Sequence, residues 1–148
     1  MLRNDLDLTI VTRKPGSERG QILRQERFVW MVAQGFSPHE QTPMPLAMFN
    51  TECFCRAWAC NALDAMQREY RVAYTSASLA AINAVVSTGL AVTAQLESLL
   101  TPDLRIIGEA EHLPQLPCAS IVLLRKPNTS PSPIIECFAH YIVDGFKP

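Results

Sequence analysis

Three kinds of side chain in this sequence could do chemistry: cysteines, histidines, and the hydroxyl and amide groups that gather where helices begin. Cys53, Cys55 and Cys60 lie close together and invite a metal or redox role. Read as two positions on one helix, however, Cys53 and Cys55 splay by about 200° at about 3.6 residues per turn and cannot share one ion. No Cys-x-x-Cys pair and no neighbouring His completes a zinc set, so no metal site is expected. Cys53 keeps a separate interest, because a thiol at a helix start is biased toward thiolate. A small buried thiol is the plainer alternative.

His39, His112 and His140 are scattered, and none sits beside a nucleophile it could activate. There is no Gly-x-Ser-x-Gly, no phosphate-binding glycine loop, no dinucleotide-binding glycine pattern and no His-Glu-x-x-His. The sequence therefore names no catalytic residue and no cofactor. An enzyme would need an ionisable group in a cleft with a strongly shifted pKa.

The more promising groups are polar residues at two expected helix starts, Asn50-Thr51 and Thr75-Ser76. Free backbone N–H groups and the positive end of the dipole favour a carboxylate or another anion there, and hydroxyls add directed donors. Both turns follow strand-like runs, and ligands in open α/β sheets sit beyond the carboxyl ends of strands. Asn50, Thr51, Cys53, Thr75 and Ser76 are thus candidate ligand-binding residues. Thr12 joins them by the same geometry, as a residue just after the first strand. The competing interpretation is plain helix capping, which Ser, Thr and Asn perform routinely.

The elements that must position these residues alternate. Leu6-Asp7-Leu8-Thr9-Ile10-Val11 is strand-like and meets Lys14-Pro15-Gly16, a turn signal. Residues 13–27 are polar, with five basic side chains against Glu18 and Glu26, and are expected to be a solvated connection. Phe28-Val29-Trp30-Met31-Val32 reads as a strand covered on both faces. Leu46-Ala47-Met48-Phe49 is a short buried strand, and Asn50-Thr51-Glu52 is expected to open a helix carrying the stripe Phe54, Trp58, Ala62, Met66. Arg71-Val72-Ala73-Tyr74 is a strand, residues 79–87 a helix stopped by Gly89, and residues 90–94 the next strand. One helical turn over 95–100 and strands at 104–107 and 120–124 follow. In the last helix Ser132 caps, Pro133 takes the first turn, and Ile134, Ile135, Phe138, Ala139, Ile142, Val143 and Phe146 share a face. Such alternation argues for an α/β fold with a largely parallel sheet.

Composition narrows the classes. The 148 residues are 48% apolar, enough for one ordinary core. Thirteen basic and 14 acidic side chains leave a net charge of -1, whereas a domain that grips DNA unaided carries a clear positive excess. Direct nucleic-acid contact is not expected. No apolar run behind Met1 to Asp5 reads as a signal peptide, and the apolar stretch 79–100 is too broken by polar residues to span a membrane. Five cysteines, an odd number, suit a reducing compartment, so a cytoplasmic location is expected.

Residues 71–79 (Arg-Val-Ala-Tyr-Thr-Ser-Ala-Ser-Leu), then Ala84-Val85-Val86-Ser87-Thr88-Gly89-Leu90-Ala91-Val92-Thr93, resemble in order and spacing the effector-binding domain of LysR-type transcription regulators. Leu113-Pro114-Gln115-Leu116-Pro117 before the strand to Leu124, and the opening Asp5-Leu6-Asp7-Leu8-Thr9-Ile10, extend the resemblance over most of the chain. Thr101-Pro102-Asp103-Leu104-Arg105 is similar to the LrhA branch. The resemblance implies a two-lobed, periplasmic-binding-protein-like (type II) α/β fold, with crossing strands near Trp30 and Val122 and ligand between the lobes. Residues 1–27 and 120–148 would form a partial outer lobe and residues 28–119 a central lobe. By this resemblance the family's helix-turn-helix and first outer-lobe units are expected to lie outside this sequence. The implied function is sensing of a small, anionic effector, with a homodimer as the family's habit and DNA contact left to the helix-turn-helix. A stand-alone binding protein of the same fold, or a non-functional gene fragment, are the alternatives.

Overall fold

The computed structural model describes residues 6–14, 16, 19–126 and 132–147. The expected turn at Pro15, together with Asp5 and Glu18, lies outside the described residues. In chain order the elements are β1 (Leu8–Arg13), β2 (Gln21–Ala33), β3 (Met44–Met48), α1 (Phe54–Ala65), β4 (Tyr70–Thr75), α2 (Leu79–Ser87), β5 (Thr93–Leu96), β6 (Leu104–Ile107), β7 (Cys118–Arg125) and α3 (Pro133–Gly145). The chain divides into two compact units, Met1–Glu26 with Cys118–Pro148, and Arg27–Pro117.

In the unit formed by the two chain ends, β1 runs antiparallel to β7, from Leu8 opposite Arg125 to Arg13 opposite Ser120. The β-prone run Ile121-Val122-Leu123-Leu124 is buried throughout, as a strand flanked on both sides must be. Gly20 has a positive φ, and a Cβ there would press on the Val122 and Leu124 side chains. The Arg24 guanidinium lies 5.3 Å from the Phe146 ring centroid, tying the start of β2 to the end of α3. On α3 only Ala139 is buried, while Ile134, Phe138 and Tyr141 stand 81%, 60% and 71% exposed. Ser132 occupies the cap position of α3 but makes no side-chain cap bond; its carbonyl accepts from the Glu136 N–H.

The unit Arg27–Pro117 carries two apolar clusters, and β2 feeds both. Phe28, Trp30 and Val32 enter one cluster with Cys55, Ala59 and Leu63 of α1; Val29, Met31 and Ala33 enter the other with Ile82 and Val86 of α2. Strand alternation thus sends successive side chains of one buried strand to two helices. Both β5 and β6 pair antiparallel with β2. A second, parallel ladder joins β3 to β4, and Val92 bridges to Leu46 in parallel on the other side of β3.

Several expectations need correction. The sheet is not largely parallel: β1 pairs antiparallel with β7, and β5 and β6 pair antiparallel with β2, while β3 and β4 pair in parallel and Val92 bridges to Leu46 in parallel. Half of the polar segment 13–27 is strand, since β2 already begins at Gln21; ladder pairing overrides its weak local signal. The strand expected at 90–94 runs Thr93–Leu96, and the turn after it is a 3-10 turn, Glu97–Leu99. On α1 the innermost stripe is Cys55, Ala59, Leu63, with Phe54, Trp58 and Ala62 beside it and Met66 exposed.

Candidate functional site

The carboxyl ends of β3 and β4 lie side by side, with Met48 opposite Thr75 in register. The Ser76 N–H donates to the Met48 carbonyl at 3.1 Å and closes the ladder. Beyond it, Ser76 Oγ accepts from the Ser78 N–H at 3.1 Å, and Ser78, not Thr75 or Ser76, caps α2 by accepting from the Ala81 N–H at 3.4 Å. Thr75 is the last residue of β4, so its hydroxyl is left to other work.

That work is done by Arg56. Its Nη1 donates to the Phe49 carbonyl at 3.0 Å and to Thr75 Oγ1 at 3.4 Å, joining the turn after β3 to the end of β4. Sequence reasoning missed Arg56, because an arginine in a first helical turn looks like a solvated charge. Its signal is positional: it follows the polar turn by a few residues, where a long side chain can reach back over the strand ends.

Asn50 and Thr51 do not open the helix. They form a turn in which the Asn50 carbonyl accepts from the Cys53 N–H at 3.1 Å, and α1 begins only at Phe54. Both are exposed, and with Cys53, Thr75 and Ser76 they belong to the same unit. Thr12 belongs to the other unit and is not past the strand end. It sits within β1, opposite Ile121, because the β1–β7 ladder carries the strand on to Arg13.

The cysteine geometry also departs from expectation. Cys53 precedes α1 with an extended backbone (φ -76°, ψ 119°), so the helical splay that separated it from Cys55 does not apply. The Cys55 thiol donates to the Cys53 sulfur, and this hydrogen bond, helped by the backbone N–H groups of Arg56 and Cys55, brings the Cys53 thiol down to about 6 against the opposition of burial. The same bond, with burial, pushes the buried Cys55 thiol upward. Among the described residues no group of three or more His, Cys, Asp or Glu side chains could hold a metal ion.

Elsewhere, burial raises the Tyr70 phenol to about 12, with Cys60 and Asp64 adding to the effect. Glu97 is held low by its hydrogen bonds from Arg27, and Asp103 by those from Ser87 and Thr101. Asp144 is held low by Lys147.

A family profile described as the LysR substrate binding domain matches residues 1–147. The chain belongs to this family. It is an effector-binding regulatory domain of the LysR type, on the periplasmic-binding-protein-like type II α/β fold. It is similar to the "HTH-type transcriptional regulator DgdR" of Burkholderia cepacia, 33% identical over 137 residues, which cover 93% of this chain and 46% of DgdR. This LysR-type chain thus spans about half the length of the relatives it matches. Among solved structures it resembles the CcmR regulatory domain of Synechocystis PCC6803 in complex with 2-PG (TM-score 0.72, 18% identity, 97% of this chain and 75% of that one). It also resembles the effector binding domain of QuiR in complex with shikimate (TM-score 0.63, 14% identity, 94% and 71%). At these identities the likeness shows the fold.

Proposed function

We propose that this LysR-type domain senses a small anionic metabolite held at the carboxyl ends of β3 and β4. Asn50, Thr51, Cys53, Thr75 and Ser76 supply polar contacts and Arg56 supplies the charge. The observation that carries this is Arg56: both its bonds leave from Nη1, and a guanidinium carries five N–H donors in a planar fork suited to carboxylate and phosphate. That 2-PG and shikimate are named with two structural neighbours fits the same ligand class. Thr12, inside a ladder of the other unit, is the weakest member of the set.

The effector acts by population shift, favouring one conformation of the regulatory domain in proportion to its differential affinity. With a net charge of -1, this chain leaves DNA contact to the helix-turn-helix of a longer regulator of the kind DgdR's name describes. Binding, not turnover, is its task, and the cytoplasm its place. No described helix is long and apolar enough to cross a membrane. The proposal extends to a homodimer, supported by the exposed apolar side chains of α3.

The test is calorimetric titration of the protein with small carboxylates and phosphate esters, beginning with 2-PG and shikimate. The double substitution Thr75→Ala, Ser76→Ala should weaken binding about tenfold, the loss of one or two hydrogen bonds, and barely move the melting temperature. Equal affinity in the double variant, or no preference for anions over neutral analogues, would remove the site.

A further inference from the structure

Between β2 and β3 the chain forms a strap, residues 34–41, tied to the start of β6 and to the end of α2. The Gln34 N–H donates to the Asp103 carbonyl at 2.8 Å, and its side-chain amide donates to the Leu104 carbonyl at 3.2 Å. The Arg105 guanidinium donates to the Phe36 carbonyl at 3.0 Å, and the Phe36 ring lies against Gly89. Arg68, just after α1, donates from Nη2 to the His39 carbonyl and from Nη1 to the His112 carbonyl. His39 itself is 6% exposed, and its Nδ1 is buried with no hydrogen-bond partner among the described residues.

An imidazole held this way is stable only while neutral. Charging it would leave a cation without hydration or a partner, and the guanidiniums that fasten the strap carry the same sign. We propose that residues 34–41 are an acid-released strap with His39 as its trigger. The neutral ring lets the strap close on Gly89 and the start of β6; protonation drives the ring out and opens it. Four charged groups act on the ring. Arg105 on β6 and Arg68 after α1 oppose its charge, while Glu40 on its own turn and Glu111 on the 3-10 turn Glu109–Glu111 favour it. Neither carboxylate bonds to Nδ1: Glu111 accepts from the Gly108 N–H at 2.7 Å, and Glu40 is exposed. Burial and Arg105 outweigh the two carboxylates and keep the closed ring below its ordinary 6.5. Because the open strap takes up this proton more readily than the closed one, acid favours opening. The strap stands on its own contacts and does not rest on the effector proposal.

The experiment is amide hydrogen exchange on the full chain, resolved by residue and corrected for the intrinsic rate at each pH. Gln34, Glu40 and Gln41 report on the strap, since their N–H groups bond to the Asp103, Ser37 and Pro38 carbonyls. Amides of the β2–β6 ladder, where Met31 faces Ile106, serve as the reference. From about pH 7 to about pH 5.5 strap protection should fall about four- to eightfold while the ladder holds steady. The upper figure is the limit for one proton on a group of ordinary pKa 6.5. In His39→Gln, which cannot titrate, strap protection should not change with pH. Should that variant fold poorly, the unmodified protein still decides through its reference amides. Strap protection that holds steady on acidification, falls in step with the ladder, or falls equally in His39→Gln would overturn the inference.

Discussion

Arg56 reaches Thr75 across the carboxyl ends of two parallel strands, its Nη1 lying 3.4 Å from Thr75 Oγ1 and 3.0 Å from the Phe49 carbonyl. The two residues are 19 apart in sequence, and the contact exists because β3 and β4 pair in parallel and end together. A parallel pair needs a crossover, and here the crossover is α1, which carries Arg56 in its first turn back over the strand ends. The connection that makes the ladder also brings its charge to the site.

Removing that charge separates binding from folding. Arg56 is only half-buried, so Arg56→Met should cost about 1 kcal/mol of stability, a few degrees in melting temperature. Affinity for an anionic effector should fall about 100-fold, with Arg56→Lys in between because it keeps the charge and loses the planar fork. Calorimetry and a thermal melt on the same samples decide it. A variant that melts early and binds normally would make Arg56 a strut and nothing more.

His39 gives the domain a pH dependence of defined sign. It is buried on the 3-10 turn Pro38–Glu40, and its Nδ1 has no hydrogen-bond partner among the described residues. Burial first, then the charge of Arg105, lowers its pKa from 6.5; Glu40 and Glu111 oppose this, and Arg68 adds to it. Below 6.5 the unfolded chain therefore binds this proton more readily than the folded one, and stability falls as pH falls toward the folded value. Urea midpoints taken at about pH 7 and about pH 5.5 should drop in the parent and drop less in His39→Gln. Parallel loss in the two proteins would assign the slope to other groups.

How much of this was legible in the residues depends on where the deciding interaction lies. The strand at Leu104–Ile107 and the helix Leu79–Ser87 coincide with their expected bounds, since periodicity and the Gly89 stop are local properties. The strand at Gln21–Glu26 was hidden, because its polar run becomes a strand only by pairing, a non-local event. Cys53 shows the sharpest consequence of a small boundary error. Moving the start of α1 from Asn50-Thr51 to Phe54 takes Cys53 out of the helix, so the splay that set its thiol and that of Cys55 on opposite faces no longer applies. Arg56 was beyond reach for a different reason: its partners are a backbone carbonyl and a hydroxyl from another strand, and neither marks the sequence at Arg56 itself.

Gly89 tests whether the end of α2 is fixed by conformation or by packing. Its φ is +83°, in the left-handed region where a side chain costs about 1–2 kcal/mol. A Cβ at this position would also collide with the ring of Phe36, which lies against the glycine. The two costs are separable. Gly89→Ala should lower stability by about 2 kcal/mol or more, the strain and the overpacking acting together. In a Phe36→Ala background the ring is gone, and the same substitution should cost only the strain, about 1–2 kcal/mol. Phe36 is half exposed, so losing it alone should be mild. Chemical denaturation of the four proteins gives the double-mutant cycle, and a coupling energy near zero would show that the ring yields without cost and that backbone conformation alone requires glycine at the stop.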